Sequence, residues 1–235
     1  DKVKPVFMLA EWEQRDLHTR ALDATYGWGW KEAMQRLVAS GEGAGPMRGY
    51  YAGQSETWPH AAMRMVYTEN HDQNSWDGVA AEIYGPAYEA AIALSFVGPG
   101  LPLIYNGQEA GNDRQLKFFE RDPIVWREGK HAALFARLIA LKTARPALHN
   151  GRFGAPMVEV PTSATADVFA FTRGAAGGRV FGVFNLSPRP HAVTFSQARH
   201  HGSYTDALTG APASFRGGES LDLPAWGYRI YTETK

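Results

Sequence analysis

Two stretches of this chain share one build, and together they narrow the possible fold more than any other feature. Met65-Val-Tyr-Thr-Glu-Asn-His71-Asp72 is an apolar, strand-like run that ends on a polar His-Asp pair. Val6-Phe-Met-Leu-Ala10 is another apolar run, and it ends on Glu11-Trp12-Glu13. Strands that each deliver a carboxylate at the C-terminal end suit an α/β barrel, where catalytic groups stand on the C-terminal rim. Paired carboxylates on such a rim suit glycoside hydrolysis above all.

The segments around them follow the same plan. Strands are expected over 6–10, 22–26, 63–68 and 102–105, and helical periodicity falls at 31–39, 87–96 and 131–144. The last helix should stop at Arg145-Pro146, because proline disfavours helix for the residue before it. Alternating strands and helices predict parallel pairing, and four such units make half of an eight-unit barrel. Past residue 150 only strand-like runs remain, over 157–160, 168–171, 180–184 and 228–231, with Gly177-Gly178 and Gly217-Gly218 as turn signals. A small antiparallel β-sandwich is expected there. The expected fold class is therefore α/β plus all-β: half of a TIM barrel over 1–148 and a β-sandwich domain over 149–235.

Composition removes several function classes. Lys plus Arg equals Asp plus Glu at 24 each, so the clustered positive charge that nucleic-acid binding needs is not expected. With no cysteine there is no disulfide and no Cys-ligated zinc, although the compartment stays open. No apolar run reaches the roughly 18 residues of a membrane span. The start at Asp1-Lys2, without Met, reads as the interior of a longer chain, so targeting and localisation are unreadable.

With the strands in place, the chain resembles the C-terminal part of the α-amylase family, glycoside hydrolase family 13. Leu9-Ala-Glu11-Trp12 resembles the family's fifth-strand motif, and Thr68-Glu-Asn-His71-Asp72 its seventh-strand motif. Gly100-Leu-Pro-Leu-Ile-Tyr-Asn-Gly107-Gln108-Glu109 is similar to the eighth strand and the turn after it, and Asp122-Pro-Ile-Val-Trp126 to the loop that follows. Trp226-Gly-Tyr-Arg-Ile-Tyr231 resembles the closing strand of the family's C-terminal β domain. The resemblance implies a retaining enzyme acting on α-glucosidic bonds, with an α-glucan or oligosaccharide as substrate. In that reading Glu11 is the general acid/base, Asp72 stabilises the transition state, and His71 binds the sugar before the cleaved bond. The family's fourth-strand Arg-x-Asp nucleophile would lie upstream of Glu11, where only ten residues stand; Asp1 is too early and has no Arg two residues before it. The resemblance implies no cofactor held here, and a calcium ion would belong to the N-terminal half of such a protein.

Chemistry and simpler readings stand side by side at each position. Glu11 would protonate the leaving oxygen and then activate water, work that suits a partly dry mouth flanked by Trp12; alternatively it is a strand-end carboxylate paired with Arg15 or Arg20. Asp72 can accept two sugar hydroxyls and His71 can donate to one, whereas a bare His-Asp pair is commonly a cap or turn. Trp12 and Trp76 are the aromatic faces expected to stack on sugar, with Trp58, Tyr50 and Tyr51 as further candidates on strand-end loops. Glu13 is expected to support the site rather than touch ligand. Glu109 and Asn106 read as structural, Arg114, Glu120 and Arg121 as loop residues within reach of ligand, and His200-His201 as a solvated turn. Nothing has the ligand spacing of a zinc site. The β domain is expected to be structural, its aromatics buried against the second sheet and the last barrel helix.

Two rival readings share these features: a non-catalytic carbohydrate-binding or interaction protein on the same scaffold, and an unrelated α/β enzyme using Glu11 and His71 as an acid–base pair. Half a barrel should also expose strand edges near Val6 and Pro102, to be covered by the N-terminal half of the protein or by a second copy.

Overall fold

Four short parallel strands lie side by side in chain order: β1 (Leu9–Ala10), β2 (Ala24–Tyr26), β3 (Met63–Val66) and β4 (Leu101–Pro102). The structure is a computed structural model and describes residues 4–19 and 22–234. Ala10 pairs with Thr25, Tyr26 with Met65, and Val66 with Pro102, so the C-terminal ends of all four strands point to one rim. Gly100 is required for the last pairing. Its φ is 145°, and a β-carbon there would fall 2.8 Å from Val66 Cγ2, so only glycine lets β4 come this close to β3.

Helices cover one face of this sheet. α1 (Trp28–Ser40) and α2 (Gly45–Thr57) join β2 to β3, while α3 (His71–Trp76), α4 (Ala80–Tyr84) and α5 (Tyr88–Val97) join β3 to β4. Each of the ten residues of α5 except Glu89 is buried, as expected of a helix apolar all round. It lies between the sheet, α6 (Ala132–Ala144) and the β domain, and it shares one core cluster with Trp30, Val66, Phe135, Phe169 and Phe184.

α2 is a helix the periodicity does not show. Gly45, Gly49 and Gly53 weaken its propensity, yet Pro46 suits the first turn and Met47 and Tyr51 anchor one face in the core. Tertiary packing decides here, as it does for most helices of this length.

The β domain has two antiparallel sheets. A six-stranded one runs in the order β10-β9-β12-β7-β6-β5, and β11 pairs with β8 in the second. β5 (Met157–Glu159), β6 (Val168–Arg173), β7 (Val180–Asn185) and β12 (Tyr228–Glu233) coincide with the apolar runs of the sequence. β8 (His191–Val193), β9 (Gly202–Asp206), β10 (Pro212–Phe215) and β11 (Leu221–Leu223) are short and partly polar, and carry little sequence signal. All residues of β6 and β7 are buried, because the barrel helices cover one face and the smaller sheet and its loops the other. His200 departs from the solvated turn expected of His200-His201. It is 1 % exposed, its ring 4.6 Å from Phe195 and 5.1 Å from Phe181, and its pKa is pushed down to about 4 by burial and then by His201. The helical turn Ala198–His200 aims its ring inward, which a doubled histidine does not announce.

Two basic side chains tie the halves together. The Arg173 guanidinium, from β6, donates to the carbonyls of Val97 and Gly98 at 3.1 Å each, and to those of His149 and Ala155 at 3.0 Å each. Lys142 Nζ donates to Phe96 and Leu148 carbonyls at 3.0 and 2.7 Å. Both sit where the orphan carbonyls of α5 concentrate partial negative charge. On the far side, the strand edges are open. Phe7 is 59 % exposed beside β1, and Ile139 and Phe153 flank an apolar hollow beside β4 that Phe96, Pro102 and Ile104 also line.

Candidate active site

Two strand ends build the site. β1 ends at Ala10, which places Glu11 on the rim; β3 ends at Val66, and the next residues turn into α3. Asn70 caps that helix by accepting from the Gln73 backbone N–H at 2.9 Å, so His71 and Asp72 occupy its first turn. His71 Nε2 lies 3.5 Å from Glu11 Oε1 and 3.5 Å from Asp72 Oδ1. One atom from each of the three side chains falls within 4.8 Å of the others, although the side chains stay about half exposed at 55, 47 and 48 % for Glu11, His71 and Asp72. Glu11 has no ion pair with Arg15, whose guanidinium instead lies 3.8 Å from Asp16; Arg20 and Asp1 lie outside the described residues.

Tyr26, the last residue of β2, is near enough to feel the charge of both carboxylates, and the sequence does not single it out. Burial raises its pKa, and the charges of Glu11 and Asp72 raise it further. Glu69 is a second group not singled out. Its buried carboxylate accepts from Asn74 Nδ2 at 2.9 Å and from the Ala80 N–H at 3.1 Å, and burial raises its pKa. Asn74 in turn accepts from Leu116 N–H at 2.7 Å and donates to the Arg114 carbonyl at 3.3 Å. This relay fixes the loop after β4 against the end of β3. The loop is closed on itself by the two-pronged Arg114–Asp122 pair at 2.6 and 2.7 Å, which occupies the arginine expected within reach of ligand.

The anchored loop brings aromatic rings to the site. Phe118 stacks on His71 with centroids 6.0 Å apart and lies 5.4 Å from Trp76, and Phe119 completes the ridge. Trp76 is 62 % and Phe119 85 % exposed. Trp12, 57 % exposed, stands edge-on to Trp28 at 5.5 Å. The consecutive Phe118-Phe119 between Lys117 and Glu120 is the one signal from which this ridge could have been found.

Other candidates lie elsewhere. Tyr50 and Tyr51 sit on α2 rather than on a rim loop: the Tyr51 hydroxyl accepts from Trp30 Nε1 at 2.9 Å and its ring stacks on Phe169. Trp58 precedes β3, at the sheet end opposite Glu11, with the Arg64 guanidinium 3.6 Å over its ring. Glu13 pairs with that buried Arg64 and accepts from Gly29 N–H at 2.8 Å. Glu120 pairs with Lys117 at 2.7 Å, Glu109 accepts from Gly107 N–H at 3.0 Å, and Asn106 and Arg121 are exposed. An imidazole between two carboxylates is a set that sugar hydroxyls can bridge as donors and acceptors; among the described residues it is also the one cluster whose atoms could gather round a cation.

Known proteins agree with this architecture. Residues 162–225 match the family described as α-amylase, C-terminal all-β domain. The α-amylase MalA of Haloarcula japonica is 28 % identical over 168 residues, 68 % of this chain and 24 % of that protein. α-Amylase 2 of Dictyoglomus thermophilum is 30 % identical over 103 residues, 38 % of this chain and 18 % of that protein. This chain thus spans a quarter or less of these curated relatives. In fold it superposes over 100 % of its length on 56 % of the noncanonic maltogenic α-amylase AmyB from Thermotoga neapolitana, with a TM-score of 0.83 at 17 % identity. Half a parallel barrel with its helices, followed by an all-β domain, is the fold this chain shares with that structure, and in sequence its residues 162–225 are similar to the C-terminal all-β domain of α-amylases.

Proposed function

We propose that this chain supplies the acid/base side of a retaining glycoside hydrolase or transglycosylase acting on α-glucosidic bonds. The observation that carries the reading is the meeting of Glu11, from one strand end, with His71 and Asp72, from another, within 4.8 Å. In this reading 1–148 form the second half of the barrel and 149–235 the β domain. Glu11 gives its proton to the leaving glycosidic oxygen, and after departure of that group takes a proton from the water that attacks the anomeric carbon. Asp72 accepts hydroxyls of the same sugar, holding them more tightly as the ring flattens and positive charge grows at the anomeric carbon. His71, between the two carboxylates, donates to a further hydroxyl. Trp12 and Trp76 offer faces to the C–H surfaces of neighbouring sugars.

The nucleophile is a carboxylate from outside these residues, on the N-terminal half of the protein. The exposed edges at β1 and β4 are where that half, or a second copy, would pair and bury apolar surface. Expression of residues 1–235, alone and with the upstream half supplied in trans, tests this. No turnover of maltooligosaccharides is expected from the chain alone, and turnover on complementation. Turnover by the isolated chain that disappears in Glu11→Gln would sink the proposal of a nucleophile elsewhere.

A further inference from the structure

β2 is the strand between the two that build the site, and its last residue, Tyr26, reaches both of them. Its N–H donates to the Trp12 carbonyl at 3.1 Å, which fixes the chain one residue past Glu11. On the other side it pairs in register with Met65 of β3, and the next N–H, that of Gly27, donates to the Met65 carbonyl at 2.8 Å. Arg64 Nε donates to the Tyr26 carbonyl at 3.3 Å, and the same guanidinium pairs with Glu13. The main chain of this one residue therefore sets the spacing between the strand end that carries Glu11 and the one that leads to His71 and Asp72.

The side chain continues the bridge. Tyr26 is 8 % exposed, and its ring stands edge-on to Tyr67 at 5.7 Å and to Trp28 at 6.2 Å. Phenylalanine would fill the same space, so packing leaves the hydroxyl unexplained. Its hydrogen-bond partner is the Asn70 side chain. Asn70 Oδ1 already accepts from the Gln73 N–H at 2.9 Å, so the amide NH2 is the end left for Tyr26. Burial, Glu11 and Asp72 raise the phenol pKa and Asn70 lowers it, as a donor to the phenol oxygen does. With that oxygen accepting, the O–H proton is left to give, and no carbonyl or side chain among the described residues takes it. The charged groups that act on the hydroxyl are Glu11, after β1, and Asp72, in α3. A hydroxyl dipole turns its proton toward negative charge, so the O–H faces the space between these carboxylates.

We propose that Tyr26 is the positioning residue of this site: its main chain spaces the two strand ends, and its hydroxyl, seated on Asn70, presents a proton to the space between Glu11 and Asp72 and orients both carboxylates toward it. Such contacts are long in a ligand-free site and tighten when substrate is bound. A donor of this kind favours a carboxylate in its charged form. Asp72 needs its charge throughout the reaction, and Glu11 needs it when water attacks, so one hydroxyl serves both. The part played in turnover rests on the reading of the barrel site; the coupling to the two carboxylates stands without it.

Tyr26→Phe keeps the ring contacts and every main-chain bond and removes the hydroxyl alone. In the chain by itself, NMR titration of the side-chain carboxyl carbons should show Glu11 and Asp72 taking up protons about half a pH unit higher in the variant than in the parent. In the protein complemented with its upstream half, kcat should fall about ten-fold, the scale of one hydrogen bond to a charged group. KM should stay within about two-fold, and the melting temperature should not change. A residue that merely fills the core would move the melting temperature and leave the titrations and kcat alone. Carboxyl titrations that coincide in parent and variant would overturn the proposal, as would a rise in KM with kcat intact. Titrations that move, with turnover untouched by Glu11→Gln, would uphold the coupling and count against the reading of the barrel site instead.

Discussion

Arg173 of the β domain and Lys142 of α6 converge on the last turn of α5, the first holding the carbonyls of Val97 and Gly98 and the second that of Phe96. Removing Arg173 leaves four buried or half-buried carbonyls without their donor. Arg173→Ala should lower stability by about 3 kcal/mol or more, read as a drop in the urea midpoint, and should do so without touching the rim.

Lys142 makes the same junction sensitive to alkali. Burial, and then Arg173, lower its pKa from 10.5 to about 7. Between these values the unfolded chain binds a proton that the folded chain does not, so stability rises as pH goes from about 7 to 10. Lys142→Met should flatten that rise, seen by comparing urea midpoints of both proteins at pH 7 and pH 9.5. An equal rise in the variant would show that the lysine is not its source.

His200 acts in the opposite half of the pH scale. Its folded pKa of about 4 lies below the ordinary 6.5, so its contribution is complete above 6.5 and is lost as pH falls toward 4. His200→Leu should be less destabilised by acid than the parent when thermal midpoints at pH 7 and pH 4.5 are compared.

The aromatic ridge next to His71 should matter to ligand and not to folding. Trp76→Ala and Phe119→Ala are expected to weaken maltooligosaccharide binding about five-fold each with melting temperatures unchanged, because both rings are mostly exposed. Glu69→Ala, by contrast, should cost about 1–3 kcal/mol and weaken ligand through the loop, while Glu69→Gln, which keeps the acceptor for Asn74 and Ala80, should do neither.

In the protein complemented with its upstream half, Glu11→Gln should cut turnover by about 10²–10⁴-fold, the usual weight of a general acid/base. Asp72→Asn should also cut turnover strongly. Unchanged kinetics in both would remove these residues from the chemistry.

Much of this was legible because the barrel strands are apolar and stop abruptly at charged residues: Ala10 before Glu11, and Val66 a few residues ahead of His71 and Asp72. One failure caused another. With Gly45, Gly49 and Gly53 hiding α2, the segment before β3 reads as a loop, and so Tyr50, Tyr51 and Trp58 look like rim aromatics when they are helix-layer packing. The ridge at Phe118 escaped for a different reason. Its place beside His71 depends on Glu69, Asn74 and the Arg114–Asp122 pair, contacts that join segments some forty residues apart and leave no local pattern. His200 was hidden because burial of a lone imidazole among Phe181, Phe195 and Phe215 is a property of the assembled sheet.

The core that runs from Trp30 and Val66 through α5 to Phe169 and Phe184 has an evolutionary consequence. A β domain that merely hung from its barrel could be exchanged between proteins by cutting the chain after α6. Here such a graft would tear Tyr51 from Phe169 and the end of α5 from Arg173 in one stroke. A change of side-chain volume on either side of this junction must therefore be accommodated by the other side.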